Sequence, residues 1–325
     1  GPEDDPDAGY RSRINHDRES ASPGLYRVYL EDYGVEVSLS ATTRAGYQKY
    51  TFDRVDQAGV LIDLMNPTEY GYRLDWGAIR QIDNRTLEGF AMQQTLDGFS
   101  GLNNQYTVHF VIEFDHTISQ MTGWTAWEVD PAYGAGKNPD IREGVKEIHG
   151  HHDVGAFLSF NLEPGEDLQV RSAISLVSVD QAKLNLQQEM YPFGWDFDAV
   201  HDHARQKWDQ LLSRIKVEGG SEMDRTKFYT NLYRSYAART IWSDVNGRYV
   251  DPCEQIQTAT SPVYGCDAFW NTFWNLNQLW TLVTPAIAND WVVSLLEMYD
   301  VGGWLPKGPT GVEYSSIMVL SLIHI

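Results

Sequence analysis

The amino-acid sequence predicts a large β-sandwich followed by a helical domain. From residue 24 to 178, apolar and polar residues mostly alternate, which is typical of half-buried strands, and turn residues separate these runs. After Ser178, apolar residues recur every three or four positions, as they do on amphipathic helices. Because the strands precede the helices, the pattern indicates two domains in series rather than an alternating β–α fold.

The strand half begins with a predicted hairpin. Residues 26–30 and 35–40 are strand-like runs, and the turn sequence Asp32-Tyr33-Gly34 separates them. Further strands are predicted at 59–65, 107–114, 154–160 and 168–177. We expect a β-sandwich over residues 1–180, followed by a linker over 181–195.

The helical half is predicted over residues 196–319. Its first helix, 196–215, carries an apolar stripe at helical spacing, and Asp196 or Asp198 can cap its start. Three more helices are predicted at 224–240, 271–283 and 288–298.

The segment Gly265–Pro285 is unusually aromatic for a helix. An apolar stripe and a row of uncharged amides follow helical spacing along it. The stripe is Phe273, Leu276, Trp280 and Val283, and the amides are Asn271, Asn275 and Gln278. This pattern fits either a buried core helix or the inner wall of a cavity that binds sugars.

Composition excludes several classes of partner. The chain of 325 residues is 42% hydrophobic and carries a net charge of −20, so it is a folded, acidic protein. Such a surface repels nucleic acid and anionic membranes but is compatible with neutral sugars and divalent cations. No apolar run is long enough to span a membrane. Cys253 and Cys266 fit either a local disulfide or two thiols.

Five segments resemble, in the same order, motifs of the family-92 glycoside hydrolases, which are calcium-dependent exo-acting α-mannosidases. Residues 21–28 (ASPGLYRV) are similar to the family's A-P-G-Y-Y-x-V strand, and 228–235 (FYTNLYRS) to its F-Y-T-x-L-Y-x-S helix. Residues 243–249 match S-D-V-N-G-x-Y, and 303–307 resemble G-W-L/M-P-K. Phe269-Trp270-Asn271-Thr272 stands where the family commonly has W-D-T.

The resemblance implies a fold and a reaction. It implies that the β-sandwich packs on an (α/α)6 toroid, of which residues 196–319 would supply only the first helices. The implied reaction is the inverting removal of terminal mannose from mannose-containing glycans, of the α-1,2 type. The implied cofactor of the full-length enzyme is Ca²⁺, with no ligands identifiable here, and the implied location is periplasmic or secreted.

The motifs that carry the family's catalytic carboxylates are missing. Neither the G/C-N-E-P-type motif of the general acid nor the G-N-D-D-type motif of the base occurs in this sequence, so no catalytic residue is assigned. We therefore expect an internal fragment of a larger enzyme, inactive by itself. Residues 320–325 (LSLIHI) are interpreted as a non-native tail.

Three residues are predicted to bind substrate. Trp270 corresponds to a tryptophan of the family's mannose subsite, and Asn271 occupies the place of a sugar-binding Asp. An amide accepts fewer hydrogen bonds than a carboxylate and also donates, which changes how this position contacts a sugar. Asp267 either compensates for that change or caps a helix.

Other polar clusters suggest structural roles. His149, His151 and His152 are interpreted as surface residues of a strand edge rather than as a metal site, because calcium prefers oxygen ligands. Asp244 and Asn246 fit either a cation site or an Asx turn.

Three functions are compatible with the sequence. The first is an exo-α-mannosidase that continues beyond this chain. The second is a non-catalytic carbohydrate-binding or structural protein on the same scaffold. The third is another glycosidase or phosphorylase that joins a β-sandwich to an α/α toroid. The ordered motifs favour the first.

Overall fold

The computed structural model describes residues 10–55, 58–65, 72–95, 105–126, 128–129, 136–137, 139–237, 239–267, 269–306, 308–310 and 313–314. The chain divides into two compact units. The first contains residues 1–96, 105–174 and 178–205, and the second contains 97–104, 175–177 and 206–325.

A twelve-stranded antiparallel sheet, counted over the described residues, dominates the first unit. Its strands are β1 (Ile14–Ser22), β2 (Leu25–Leu30), β3 (Val35–Ala41), β4 (Ala45–Phe52), β5 (Gly59–Asp63), β6 (Tyr72–Gln81), β7 (Thr86–Thr95), β8 (Gln105–Phe114), β9 (Ile118–Ala126), β12 (Asp140–Glu143), β13 (Glu147–Phe160) and β14 (Asp167–Ser175). Two short strands, β10 (Glu128–Val129) and β11 (Gly136–Lys137), pair separately. The order is β1-β2-β3-β4-β14-β8-β7-β6-β13-β9-β12, and β5 pairs with β13.

The predicted hairpin is present, and the sheet folds over its own core. Strands β2 and β3 pair with Leu30 opposite Val35, and the turn closes through Gly34, whose φ is +62°. Tyr50 and Phe52 of β4 pack against the same apolar cluster as Met121 of β9, although the two strands lie far apart in the sheet order. Two distant parts of the sheet therefore share one apolar core, as in the predicted sandwich.

The predicted linker over 181–195 is largely helical. Helix α1 (Val179–Glu189) and a short 3-10 helix (Tyr191–Phe193) follow β14 directly. Leu186 and Met190 pack with Tyr47 and Val111 in a second apolar cluster of the first unit. These residues cover sheet surface, so the segment belongs to the first compact unit, which extends to Arg205.

Five further helices follow in the part of the chain that the structure describes. They are α2 (Phe197–Leu212), α3 (Glu222–Arg234), α4 (Phe269–Thr272), α5 (Leu276–Val283) and α6 (Pro285–Gly302). The Asp196 side chain accepts a hydrogen bond from the Ala199 amide at 3.0 Å and so caps α2, as predicted. The second unit also contains the strand pairs β15 (Thr240–Ile241) with β18 (Tyr264–Gly265), β16 (Arg248–Val250) with β17 (Ile256–Thr258), and β19 (Pro309–Thr310) with β20 (Glu313–Tyr314). Within the described residues, no helix has the length and apolar character needed to cross a membrane.

Candidate functional site

The aromatic segment forms two helices instead of one. The predicted helix 271–283 is interrupted at residues 273–275, between α4 and α5. Of the predicted apolar stripe only Trp280 is fully buried, and Phe273 is exposed. The predicted amide row therefore does not run along one continuous helix.

A buried ion pair lies immediately before α4. The Asp267 carboxylate accepts a hydrogen bond from the Arg239 guanidinium at 3.1 Å, and both side chains are 1% exposed. The Thr272 hydroxyl donates to the same carboxylate oxygen at 3.1 Å, which connects Asp267 to the end of α4. The Asp267 amide donates to the Pro309 carbonyl at 3.1 Å. These contacts hold the chain on both sides of residue 268 in place.

Two tryptophans enclose the Arg239 guanidinium. Its central carbon lies 4.3 Å from the ring centre of Trp280 and 4.4 Å from that of Trp291. Tyr236 stacks on Trp280 with ring centres 5.2 Å apart. Cation–π contacts strengthen when the cation is removed from water, as it is here. Trp280 of this segment thus forms, with Trp291 and Tyr236, an aromatic core around a charged group.

Burial lowers the pKa of Arg239, and the Asp267 carboxylate acts in the opposite direction. The guanidinium also donates to the Asn277 side chain of α5. Since opposite charges in contact compensate each other, the pair is suited to holding α4 and α5 in position.

The three predicted substrate-binding residues lie together in sequence and at one place in the fold. Trp270 and Asn271 are in α4, and their side chains lie outside what the structure describes. Asp267 is engaged through one carboxylate oxygen, whereas its Oδ1 atom is buried without a hydrogen-bond partner among the described residues. The roles of all three in sugar binding remain predictions.

Sequence reasoning missed Arg239 and Trp291. Arg239 lies 28 residues before Asp267, and no spacing rule connects the two. A single arginine next to a strand resembles a surface residue, so only the fold reveals that it is buried. Trp291 fits the ordinary apolar pattern of α6 and carries no distinguishing signal.

The loop at 243–249 has a structural role. Asn246 accepts a hydrogen bond from the Arg248 amide at 3.3 Å, which is the predicted Asx turn. Asp244 is buried and accepts from the Ser175 hydroxyl at 2.9 Å. Gly247 has a φ of +82°, and a Cβ atom there would lie 2.2 Å from the Ala259 carbonyl oxygen. Only glycine fits this tight turn.

The histidines of β13 contact Trp76 and backbone groups. His149 stacks on Trp76, and the His151 ring nitrogen lies 2.5 Å from the Asp75 carbonyl oxygen. In the part of the chain that the structure describes, no group of three His, Cys, Asp or Glu side chains could hold a metal ion. Cys253 and Cys266 are both exposed and are not joined by a disulfide.

Comparison with known proteins agrees with this architecture. A model described as the glycosyl hydrolase family 92 N-terminal domain matches residues 1–175, and one described as the family's catalytic domain matches 181–323. The two models match in the same order as the large antiparallel sheet and the helices that follow it. This arrangement is that of part of a two-domain glycoside hydrolase. The chain belongs to glycosyl hydrolase family 92.

Solved structures and a curated relative extend the comparison. The chain is 26% identical to a family GH92 α-mannosidase from Bacteroides thetaiotaomicron, with a TM-score of 0.82, over 97% of this chain and 40% of that one. A family GH92 inverting mannosidase from the same species shares the fold, with 23% identity and a TM-score of 0.76 over 93% of this chain and 38% of that one. A secreted glycosidase of Arthroderma benhamiae is 26% identical over 298 residues, which are 89% of this chain and 33% of that protein. The chain thus spans about two fifths of the length of the two mannosidases and about one third of that of the secreted glycosidase.

Proposed function

We propose that this chain is part of an inverting exo-α-mannosidase, of the α-1,2 type, that removes terminal mannose from glycans in the periplasm or outside the cell. The observation that carries the proposal is the likeness to the GH92 α-mannosidase over nearly the whole chain. The same relative has been solved in complex with mannoimidazole. The secreted glycosidase of Arthroderma benhamiae supports the proposed location.

Inverting hydrolysis needs two carboxyl groups in different roles. One protonates the leaving oxygen, and the other activates a water molecule on the opposite face of the sugar, so the two stand roughly 6.5–9.5 Å apart. No residue of this chain is assigned to either role. We infer that both belong to the longer enzyme and that this chain alone does not hydrolyse mannosides.

We assign the residues around α4 to sugar binding. Trp270 would offer an aromatic face to the C–H groups of the mannose ring, and Asn271 would bond its hydroxyls. Asp267 would act through α4 as a positioning residue, because its carboxylate is bonded to Arg239 and Thr272.

Calcium is part of the proposal only for the longer enzyme. Ca²⁺ requires six to eight oxygen ligands, usually with several carboxylates. The described residues bring no such carboxylate group together, so they do not fit the ion by themselves.

The test is to recover the longer gene from the source DNA and assay its protein on α-1,2-mannobiose. We expect an open reading frame that encodes the missing Glu and Asp motifs. We also expect mannose release, with β-mannose as the first anomer seen by proton NMR, and loss of activity on chelation. A longer protein that folds but releases no mannose would refute the proposal.

A further inference from the structure

The first compact unit contains an open pocket of about 450 Å³ that the proposed reaction does not use. Its volume falls within the range of roughly 300–1,000 Å³ that is usual for small-molecule sites. Strands β4, β5 and β13 and the turn between β2 and β3 surround it. The side chains of Tyr10, Tyr33, Tyr50, Phe52 and Phe157 give it aromatic walls, and we call it the aromatic pocket.

The rings at the mouth of the aromatic pocket are exposed to solvent. Tyr10 is 52% exposed, Tyr33 is 49% exposed and Phe157 is 40% exposed. Single exposed aromatic residues are common, but several around one cavity mark a place where a ligand covers them. The walls therefore provide apolar faces that remain accessible.

A glycine gives Phe157 its place in the wall. A Cβ atom on Gly59 would lie 2.4 Å from the Phe157 ring, so the ring occupies the space that a side chain would fill. Gly59 also lines the aromatic pocket. The shape of this wall thus depends on one position of β5.

A carboxylate is held at the pocket by two hydrogen bonds. Asp63 accepts from the Tyr10 hydroxyl and from the Met65 amide, each at 2.8 Å. Burial raises the pKa of Asp63, and these hydrogen bonds act against the rise. The carboxylate is fixed in direction and retains acceptor capacity for a hydroxyl group, since each of its oxygens has two lone pairs.

The charges of the aromatic pocket balance. Arg54 lines it together with Asp63, so the walls contribute one positive and one negative group. A cationic ligand would gain from Asp63 and lose at Arg54, and an anion would do the reverse. A neutral molecule with several hydroxyls suits both groups, because the carboxylate accepts hydrogen bonds and the guanidinium donates them.

We propose that the aromatic pocket is a binding site for one neutral hexose residue. The C–H faces of a sugar ring carry partial positive charge, which the negative faces of aromatic rings attract. Tyr33 and Phe157 supply such faces, and Asp63 accepts from the ring hydroxyls. The site would hold a glycan on the N-terminal β-sandwich whether or not the longer protein hydrolyses mannosides.

The test is a ligand-observed NMR titration of the 325-residue chain with methyl α-D-mannopyranoside. We expect a dissociation constant on the order of 1 mM, typical of one weakly held small ligand. Tyr33→Ala removes an exposed ring from a turn, and Gly59→Ala displaces the Phe157 ring. Each should weaken binding at least about tenfold, whereas Tyr33→Phe should retain it because the ring face remains.

Tyr299→Ala is the matched control, since Tyr299 is 48% exposed and lies on α6. It should leave the titration unchanged, and circular dichroism checks that every variant is folded. No sugar binding, or binding that Tyr33→Ala and Gly59→Ala leave intact, would overturn the proposal. So would binding of tetramethylammonium in place of the sugar, which would make the pocket a cation site. Failure of the longer protein to hydrolyse mannosides would not affect these outcomes.

Discussion

Arg239 and Asp267 form an ion pair from which solvent is almost wholly excluded, with each side chain 1% exposed. Charges buried to this degree are costly unless each has its partner. Arg239 is also enclosed by two tryptophans, and Asp267 is bonded to the end of α4. The pair therefore determines how the aromatic segment is held in the second unit.

Replacing one partner of this pair should destabilise the protein strongly. Arg239→Met leaves the Asp267 carboxylate buried without compensation, and we expect a loss of about 3–5 kcal/mol in the free energy of unfolding. The double variant Arg239→Met, Asp267→Leu should recover much of that loss. Urea denaturation of the three proteins measures the coupling. The exposed pair Arg142–Asp140 is the control, and Arg142→Met should change stability by less than about 1 kcal/mol.

Glu88 should make the first unit sensitive to acid. Its buried carboxylate pairs with Lys183 of α1 at 2.6 Å and with Arg80. Burial raises the pKa of Glu88, but the two cations outweigh this effect and bring it below the ordinary value of 4.5. Because the folded pKa is lowered, the stabilisation is complete above about pH 4.5 and is lost as the pH falls through the folded pKa.

Denaturation midpoints from pH 7 down to about pH 3 test this. Glu88→Gln should be less stable at pH 7, by about 1–2 kcal/mol, and its midpoint should fall less steeply with acid than that of the parent chain. Glu143→Gln, in the exposed strand β12, is the matched control and should follow the parent curve. Parallel curves for Glu88→Gln and the parent would contradict the assignment.

Gly247 should be intolerant of any side chain. Gly247→Ala combines a left-handed backbone with a Cβ atom 2.2 Å from the Ala259 carbonyl oxygen. We expect a loss of about 3 kcal/mol or more. Gly144 isolates the backbone effect, because its φ is +66° and nothing lies within 4 Å of the position of its Cβ. Gly144→Ala should cost only about 1 kcal/mol, and equal losses for the two variants would show that the contact does not matter.

Asn271 should limit sugar binding in the longer enzyme. Asn271→Asp places a carboxylate where the family commonly has one, and a charged acceptor makes stronger hydrogen bonds to hydroxyls. We expect KM for α-1,2-mannobiose to fall about tenfold. The control is Asn231→Asp, an exposed asparagine on α3, which should leave KM unchanged. An unchanged KM in Asn271→Asp would show that residue 271 does not contact the sugar.

The 325-residue chain should self-associate in solution. Several large apolar side chains of α5, α6 and their neighbours are exposed, among them Leu282 at 83% and Trp304 at 76%. Apolar surface of this extent promotes association. Leu282→Glu should shift the chain toward monomer in sedimentation velocity, and Ile141→Glu on β12, which is 63% exposed, should have little effect. A monodisperse parent chain with one cooperative thermal transition would contradict this expectation.

The sequence predicted six of the twelve described strands of the main sheet, β2, β3, β5, β8, β13 and β14, and most of the helices, because the burial of these segments follows a regular period. Apolar and polar residues alternate in 26–30 and 35–40, and the turn between these strands needs a residue such as Gly34 that tolerates a positive φ. Helix α1 escaped prediction because polar residues face its packed side. Gln181 and Asn185 are buried there, and Asn185 donates to the Ile174 carbonyl at 2.9 Å, a partner supplied by the fold.

The aromatic segment was only partly predictable. Its composition indicated either a buried core helix or a cavity wall, and Trp280 is indeed buried. No local pattern encodes the interruption between α4 and α5, nor that Asp267 and Asn277, on its two sides, both bond Arg239. The aromatic pocket was not predicted because its walls come from three separate strands, β4, β5 and β13, and from the turn between β2 and β3.

The packing of helix α1 on the sheet determines where the two domains can be separated, or swapped with those of relatives, without exposing the core. The two family matches leave residues 176–180 between them, so the match boundaries alone would place the domain boundary there. A break there would separate Leu186 and Met190 from Tyr47 and Val111, with which they pack. The apolar surface that they cover on the sheet would then be exposed to solvent. Chimeras made with other family members should instead be joined after α2 ends at Leu212, so that the sandwich keeps α1 and the whole of α2.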